Sequence, residues 1–229
     1  MPRERPIYLL SAELLFPPVE WARPDGLLAA CGDLSVERLL LAYQSGIFPW
    51  YNTDSPILWW APPERAVIAP AQLHVGRSLR KVVRRGEFEI RFDTAFAQVI
   101  AACANTPRPN QPGTWIVPEM VAAYTRLHAA GYAHSVESYK DGVLCGGLYG
   151  VSLGGCFFGE SMFSHADDAS KVAFVALAAR LVQWEFDLID GQMQNDHLDR
   201  FGVTVIPRSE FMVRLRQSLR RPTRRGSWA

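Results

Sequence analysis

Long apolar runs are missing from this chain. No segment approaches the roughly 20 residues that span a bilayer, and the opening MPRERPIYLL lacks the apolar core and cleavage site of a signal peptide. The expectation is a soluble, unexported protein of the cytoplasm with no membrane partner. Cysteine is scarce and unpatterned: Cys31, Cys103, Cys145 and Cys156 form no CxxC pair and sit at no zinc-finger spacing from histidine. A disulfide framework and a structural metal are therefore not expected, and a reducing compartment fits. The five histidines are dispersed without an HExxH pair, so most read as surface or packing residues. Gly159-Glu160-Ser161-Met162-Phe163 lacks the second glycine of GxSxG, which argues against a serine hydrolase.

Net charge is also scarce, only +1, which taken alone speaks against a polyanionic partner. The distribution reverses that. Arg77, Arg80, Lys81, Arg84 and Arg85 fall in nine residues without one acid, and helical spacing places Arg77, Arg80/Lys81 and Arg84 on one face with Leu79, Val82 and Val83 opposite. Such a stretch is either a solvated surface helix or a contact for phosphate. A second run, Arg214, Arg216, Arg220, Arg221, Arg224 and Arg225, ends around Pro222 and Gly226 and reads as a tail able to remain disordered and touch nothing.

What is present is enough to bury a full core: 229 residues, 48% apolar. Residues 1 to about 65 hold nine prolines and four tryptophans, with one helix expected from Ser35 to Gln44 and stopped by Gly46. From Arg65 onward the pattern mixes strands and helices. Phe88 to Phe92 alternates as a strand, a helix follows over Thr94–Ala104, and a Pro-rich loop fills Asn105 to Thr114. Pro118 opens another helix and Gly131 stops it. Asp141-Gly142 predicts a tight type I′ hairpin between His134–Tyr139 and Val143–Val151. Gly154-Gly155 turns the chain into Cys156–Gly159, a helix over Asp168–Trp184 is capped by Asp167 or Asp168, and a last helix runs over Ser209–Leu219. The fold class is α+β, with a small Pro/Trp-rich N-terminal domain at 1–64 and a larger domain at 65–229.

The richest chemistry lies in DLIDGQMQNDH, Asp187 to His197. A short apolar strand is followed by Asp190, Gln192, Gln194, Asn195 and Asp196 where the chain leaves it, so polar groups stand on a rigid support. The same composition also suits an ordinary polar turn. Asp190 and Gln192 alternate about Gly191, which in an extended segment points both side chains to one side.

Taken in order with GIFPWY (Gly46–Tyr51), ILWWAPPERAV (Ile57–Val67), GTWI (Gly113–Ile116), GGLYGV (Gly146–Val151) and FGESMFS (Phe158–Ser164), this stretch resembles the leucyl/phenylalanyl-tRNA–protein transferase family, from Asp25–Ala29 and Gly32–Ser35 to Ile206–Arg208. The resemblance implies a GNAT-like acyltransferase fold for the larger domain. It also implies transfer of Leu, Phe or Met from aminoacyl-tRNA to acceptor proteins beginning with Arg or Lys, which marks them for N-degron (N-end rule) degradation. No cofactor is implied, and the chain is expected to act as a monomer. By the same resemblance Gln192 contacts the attacking amine, Asp190 positions Gln192 and strengthens it as an acceptor, and Glu160 binds an ammonium group. Leu148, Phe157, Met162, Leu177 and Ile189 wall the aminoacyl pocket, although each is an ordinary core type on its own. Trp50 and Trp115 stack on the 3′ adenosine, the Arg77–Arg85 helix binds tRNA, and Asn195 is a further site residue; Trp59 and Trp60, followed by APPERAV as the chain crosses between the two parts, read as a latch. Leu148 stands where the family carries Met, a nearly volume-conserving difference, and the Asn105–Thr114 loop is longer and richer in proline than the family's.

The reaction so implied needs no strong base. An α-amine has a pKa near 7.7 to 8.0 and the ester is already activated, so positioning and charge stabilisation should supply most of the acceleration. Two other readings remain. An acyl-CoA-dependent GNAT N-acyltransferase would carry a glycine loop opening a helix, whereas Gly146, Gly147, Gly150, Gly154 and Gly155 fall in the hairpin region. A tRNA-binding module without catalysis would not need Asp190, Gln192 and Glu160 together.

Overall fold

The computed structural model describes residues 6–106 and 114–229, so all but the ends of the Pro-rich loop expected at Asn105–Thr114 lies outside the described residues. Two sheets organise the chain. The first has four strands in the order β1-β2-β4-β3: β1 (Tyr8–Leu10), β2 (Leu27–Cys31), β3 (Phe48–Pro49) and β4 (Leu58–Trp60). Helix α1 (Val36–Gln44) connects β2 to β3. It starts as the sequence predicts, with the Ser35 hydroxyl accepting from the Arg38 N–H, which satisfies one of the free amides of the first turn. It ends at Gly46, whose φ of 71° is strained for any residue with a Cβ. A Cβ there would also meet the Met212 sulfur at 2.5 Å.

The second sheet has seven strands in the order β11-β5-β10-β9-β8-β7-β6: β5 (Glu64–Ile68), β6 (Glu89–Phe92), β7 (Ala133–Lys140), β8 (Val143–Leu153), β9 (Cys156–Ser164), β10 (Leu188–Asp190) and β11 (Thr204–Pro207). All its pairings are antiparallel except β9 with β10. The β7–β8 hairpin turns at Asp141 and Gly142 with φ of 51° and 77°, the two left-handed residues that a type I′ turn requires.

Helices α3 (Phe96–Asn105) and α4 (Pro118–Ala129) cover one face of this sheet, and α2 (Arg77–Arg85) and α5 (Ala169–Gln183) the other. Short α6 (Asp196–Asp199) and α7 (Arg208–Ser218) complete the chain. Two apolar cores result. One joins Val99, Met120, Phe158 and Phe163 to Tyr43 of α1 and to Phe48 and Trp59 of the smaller sheet, so the two sheets share a core. The other packs Leu177, Leu181 and Phe174 of α5 against Leu148, Phe157 and Ile189. Each such fully buried side chain contributes roughly 1.5–3 kcal/mol of transfer free energy.

Two expectations are corrected. Asp168 sits at the start of α5 but its side chain makes no cap; its φ is 63°, and the carboxylate binds Lys171 at 2.6 Å. The Ser164 hydroxyl accepts from the Ser170 amide instead. The Arg-rich tail is not free. Trp228 is buried, stacks on His134 at 3.8 Å and donates its backbone N–H to Asp93 at 2.8 Å, while Arg221 pairs with Asp187 at 3.3 Å. One aromatic residue next to the last in the tail, invisible to a reading of charge alone, supplies enough apolar burial to order it.

Candidate active site

A cavity of about 750 Å³ opens along the C-terminal ends of β9 and β10, within the size range of small-molecule sites. Its floor is built by an irregularity in the sheet. Tyr149 pairs with Ser161 and Gly150 with Gly159, leaving Glu160 as the extra residue of a β-bulge in β9. The bulge shifts the alternation by one. Phe158 and, beyond it, Phe163 join the core beside the smaller sheet, whereas Phe157 and Met162 face the core beneath α5. Both Glu160 and Met162 line the cavity, but with the alternation shifted Glu160 meets Tyr43 and Tyr124 of one core while Met162 packs with the other.

Glu160 is buried and caged by three donors. The Tyr43 hydroxyl donates to Oε1 at 2.7 Å, the Tyr124 hydroxyl to Oε2 at 3.0 Å, and the Gln192 amide Nε2 to Oε1 at 2.9 Å. The two tyrosine hydroxyls also touch each other; with one proton apiece they can hydrogen-bond there only when one of them gives up its donation to Glu160 or when Glu160 is itself protonated. Burial dominates the balance and raises the Glu160 pKa to about 7 despite the tyrosine donors, with nearby Asp190 pushing the same way and Arg65 opposing it. Both tyrosines are held well above their ordinary value, by burial first and by the neighbouring carboxylate second, so they stay protonated donors.

Gln192 stands where the sequence places it, at the strand end, but not in the predicted conformation. Its φ is 61°, left-handed rather than extended, so it does not alternate with Asp190. Asp190 faces away. Its carboxylate is fully buried in a bidentate ion pair with Arg65, at 3.0 and 2.7 Å, and accepts the backbone N–H of Gln192 at 2.8 Å. The expected contact of Asp190 with the Gln192 amide is thus replaced by a clamp on the turn that aims it. A carboxylate accepts only, so Gln192 must turn its NH₂ toward Glu160, which leaves its Oε1 available to accept from a substrate.

Arg65 is the residue that sequence reasoning missed. Its guanidinium also donates to the Gly46 carbonyl at 2.9 Å and lies between the rings of Phe48 and Phe211, 4.8 and 4.5 Å from their centroids. Its post-like position therefore ties the Phe48-Pro49-Trp50 segment to the Asp190–Gln192 turn. Tyr43 and Tyr124 were missed as well. Each lies inside a helix, and only the packing of α1 and α4 brings them to the bulge.

Leu148, Phe157, Met162 and Ile189 line the cavity. Leu177 does not. It is buried behind the wall, and Phe174, one helical turn earlier in α5, takes the lining position. Trp50 and Trp115 stand on the cavity wall. Trp50 is half-exposed, and Trp60 braces it edge-on at 5.6 Å while donating to its carbonyl at 2.6 Å. Trp115 is 6% exposed. Trp59 is buried within the smaller sheet and donates to the Cys31 carbonyl.

Asn195 lines the outer lip and caps α6, its side chain accepting the amides of His197 and Leu198. The Arg77, Arg80, Lys81, Arg84 and Arg85 side chains all project into solvent from α2, anchored beneath by Leu79. Gly146, Gly147 and Gly150 lie inside β8, and Gly154 and Gly155 in the turn to β9. None of them opens a helix, which counts against a CoA pyrophosphate loop.

Comparison with known proteins gives a family match. Residues 67–216 match the family model of leucyl/phenylalanyl-tRNA protein transferase, and residues 32–63 match the model of its N-terminal domain. Proteins named leucyl/phenylalanyl-tRNA–protein transferase are similar along almost their full length. The one from Myxococcus xanthus (strain DK1622) is 57% identical, covering 97% of this chain and 96% of the relative. That from Anaeromyxobacter sp. (strain Fw109-5) is 56% identical, covering 97% and 94%. The protein from Nitratidesulfovibrio vulgaris (strain DP4) is 56% identical, covering 97% and 95%.

Proposed function

The chain belongs to the leucyl/phenylalanyl-tRNA–protein transferase family and moves an amino acid from aminoacyl-tRNA to protein N-termini, a step of N-degron degradation; within that activity we propose that Gln192 and Glu160 together handle the acceptor's amine. The carrying observation is the caged Glu160. A carboxylate brought to about 7 by burial is matched to proton transfer at neutral pH, and the Gln192 amide held against it at 2.9 Å offers its oxygen to an N–H.

In this reading the 3′ adenosine stacks on Trp50 and against Trp115, and the amino-acid side chain of the donor enters the space among Leu148, Phe157, Met162, Phe174 and Ile189. Apolar, unbranched-at-Cβ side chains such as Leu, Phe and Met suit such walls. The neutral acceptor amine, hydrogen-bonded to Gln192 Oε1, attacks the ester carbonyl carbon. The new C–N bond forms as the C–O bond to the 3′ oxygen breaks. Glu160 takes the proton that the amine loses and returns one to the leaving 3′ oxygen. Asp190 and Arg65 do not touch the substrate; they hold the left-handed Gln192 in place.

The α2 cations bind the tRNA body, leaving the cavity to its aminoacylated end. Residues 65–229 form a GNAT-like catalytic domain and 1–64 the smaller domain, the protein works as a cytoplasmic monomer, and acceptors begin with Arg or Lys. The parallel β9–β10 pair at the cavity supports the GNAT-like reading, and the free cysteines suit the compartment. Among the described residues no helix is long and apolar enough to cross a membrane. The test is transfer of labelled leucine from charged tRNA to a peptide beginning with Arg, beside the same peptide N-acetylated. Label should enter the first only. Equal labelling of both would refute attack by the α-amine.

A further inference from the structure

The cavity wall has a one-sided charge. Among the described residues its acidic and basic groups are Glu160, Asp190, Asp196 and His197, and no described lysine or arginine lines it. That is unexpected for a site that receives the end of a polyanion, and it fits a second occupant that brings positive charge. The three carboxylates are not equivalent. Asp190 is neutralised by Arg65 at 2.7 Å. Glu160 is enclosed by Tyr43, Tyr124 and Gln192, at the amine position. His197 is held neutral, since burial and then the charges of Lys171 and Arg200 lower its pKa.

Asp196 alone remains uncommitted. It opens α6 on the exposed lip formed by Met193–Asp196, immediately outside Gln192, and no described lysine or arginine pairs with it. Its neighbours on the lip are spent on structure: Gln194 donates to Asp199 at 2.9 Å, and Asn195 caps the helix. An acceptor whose amine lies at Gln192 must run its chain outward over this lip. The side chain of its first residue, if it is Arg or Lys, spans several ångströms of methylene before its charge, far enough to pass from the amine position to the lip.

We propose that Asp196 is the specificity-determining residue for the acceptor, receiving the guanidinium or ammonium of its first side chain. The inference rests on the reading that acceptors begin with a cationic residue, and the test separates the two. Two peptides differing only in Arg or citrulline at the first position are close in shape but differ in charge, a urea carbonyl oxygen replacing one guanidinium nitrogen. Their kcat/KM ratio is measured at saturating charged tRNA. Wild type should favour Arg about three- to fivefold, the size of an ion-pair contact at an exposed site. Asp196→Asn should bring the ratio close to one, mainly through KM, and Asp196→Lys should take it below one. Asp199→Asn, the same charge change on the same helix but off the cavity wall, should keep the wild-type ratio. If wild type does not distinguish Arg from citrulline, the cationic-acceptor reading itself fails. If wild type distinguishes them and Asp196→Asn still does, or if Asp199→Asn loses the ratio equally, the assignment to Asp196 is overturned while that reading stands.

Discussion

Replacing Glu160 by Gln keeps the shape of the side chain and removes a carboxylate whose pKa burial lifts from 4.5 to about 7. The consequences for stability and for rate have definite signs. Below pH 4.5 the group is protonated whether the chain is folded or not. Between 4.5 and 7 the unfolded chain ionises first, so the stabilising contribution of the bound proton is lost as pH rises through the folded value, a difference of about 3 kcal/mol in all. Gln cannot titrate. Urea unfolding of wild type and Glu160→Gln from pH 4.5 to 8 should therefore diverge by about that amount, with the variant gaining on wild type as pH rises. The rate behaves oppositely. If the ionised carboxylate takes the proton of the amine, wild-type transfer should climb through an inflection near 7 that Glu160→Gln lacks, the variant being slower by a factor on the order of 10²–10⁴. Both enzymes will still show the amine's own titration near 8, so the difference between the profiles is the readout. Parallel stability curves and parallel rate profiles would refute both the raised pKa and the role in proton transfer.

The remaining predictions address the parts around Glu160. Asp190→Asn or Arg65→Met leaves a buried charge without its partner and should destabilise the fold by about 3–5 kcal/mol by urea denaturation, whereas the double change Arg65→Met with Asp190→Leu should recover much of that stability while leaving transfer impaired, because the Gln192 turn has lost its clamp. Trp50→Ala should raise the KM for both full tRNA and a minimal aminoacyl-adenosine donor by a factor matching about 1–3 kcal/mol; Trp115→Ala, being almost buried, should lower thermal stability as well. Arg80→Glu with Arg84→Glu should flatten the salt dependence of tRNA binding by about 0.9 in log–log slope per lost duplex phosphate contact, and leave the minimal donor's transfer rate unaltered.

Local physics was legible in the sequence and long-range pairing was not. The Ser35 cap, the Gly46 stop, the basic α2 and the Asp141-Gly142 turn each depend on a few adjacent residues, and all four take the expected form. Glu160 could be singled out because a carboxylate among phenylalanines is costly without a partner. Its partners were not legible: Tyr43 and Tyr124 are 117 and 36 residues away, and a bulge leaves no mark in strand alternation. Arg65 carries no local mark of its role, since nothing near it says that it will meet a buried carboxylate 125 residues later. The simple period of two failed at Gln192 because the Asp190 side chain, by accepting the Gln192 amide, favours a turn over an extended strand.

The central claim is that Gln192 acts on the attacking amine and not on the nucleic acid. Its most direct test is the single-turnover rate of peptide-bond formation by Gln192→Ala with bound charged tRNA and saturating peptide, alongside the tRNA Kd of the same preparation. The predicted result is a rate lowered by at least about tenfold, the loss of one hydrogen bond made in the transition state, at an unaltered Kd. A wild-type rate, or a slow rate fully explained by a weakened Kd, would contradict the account.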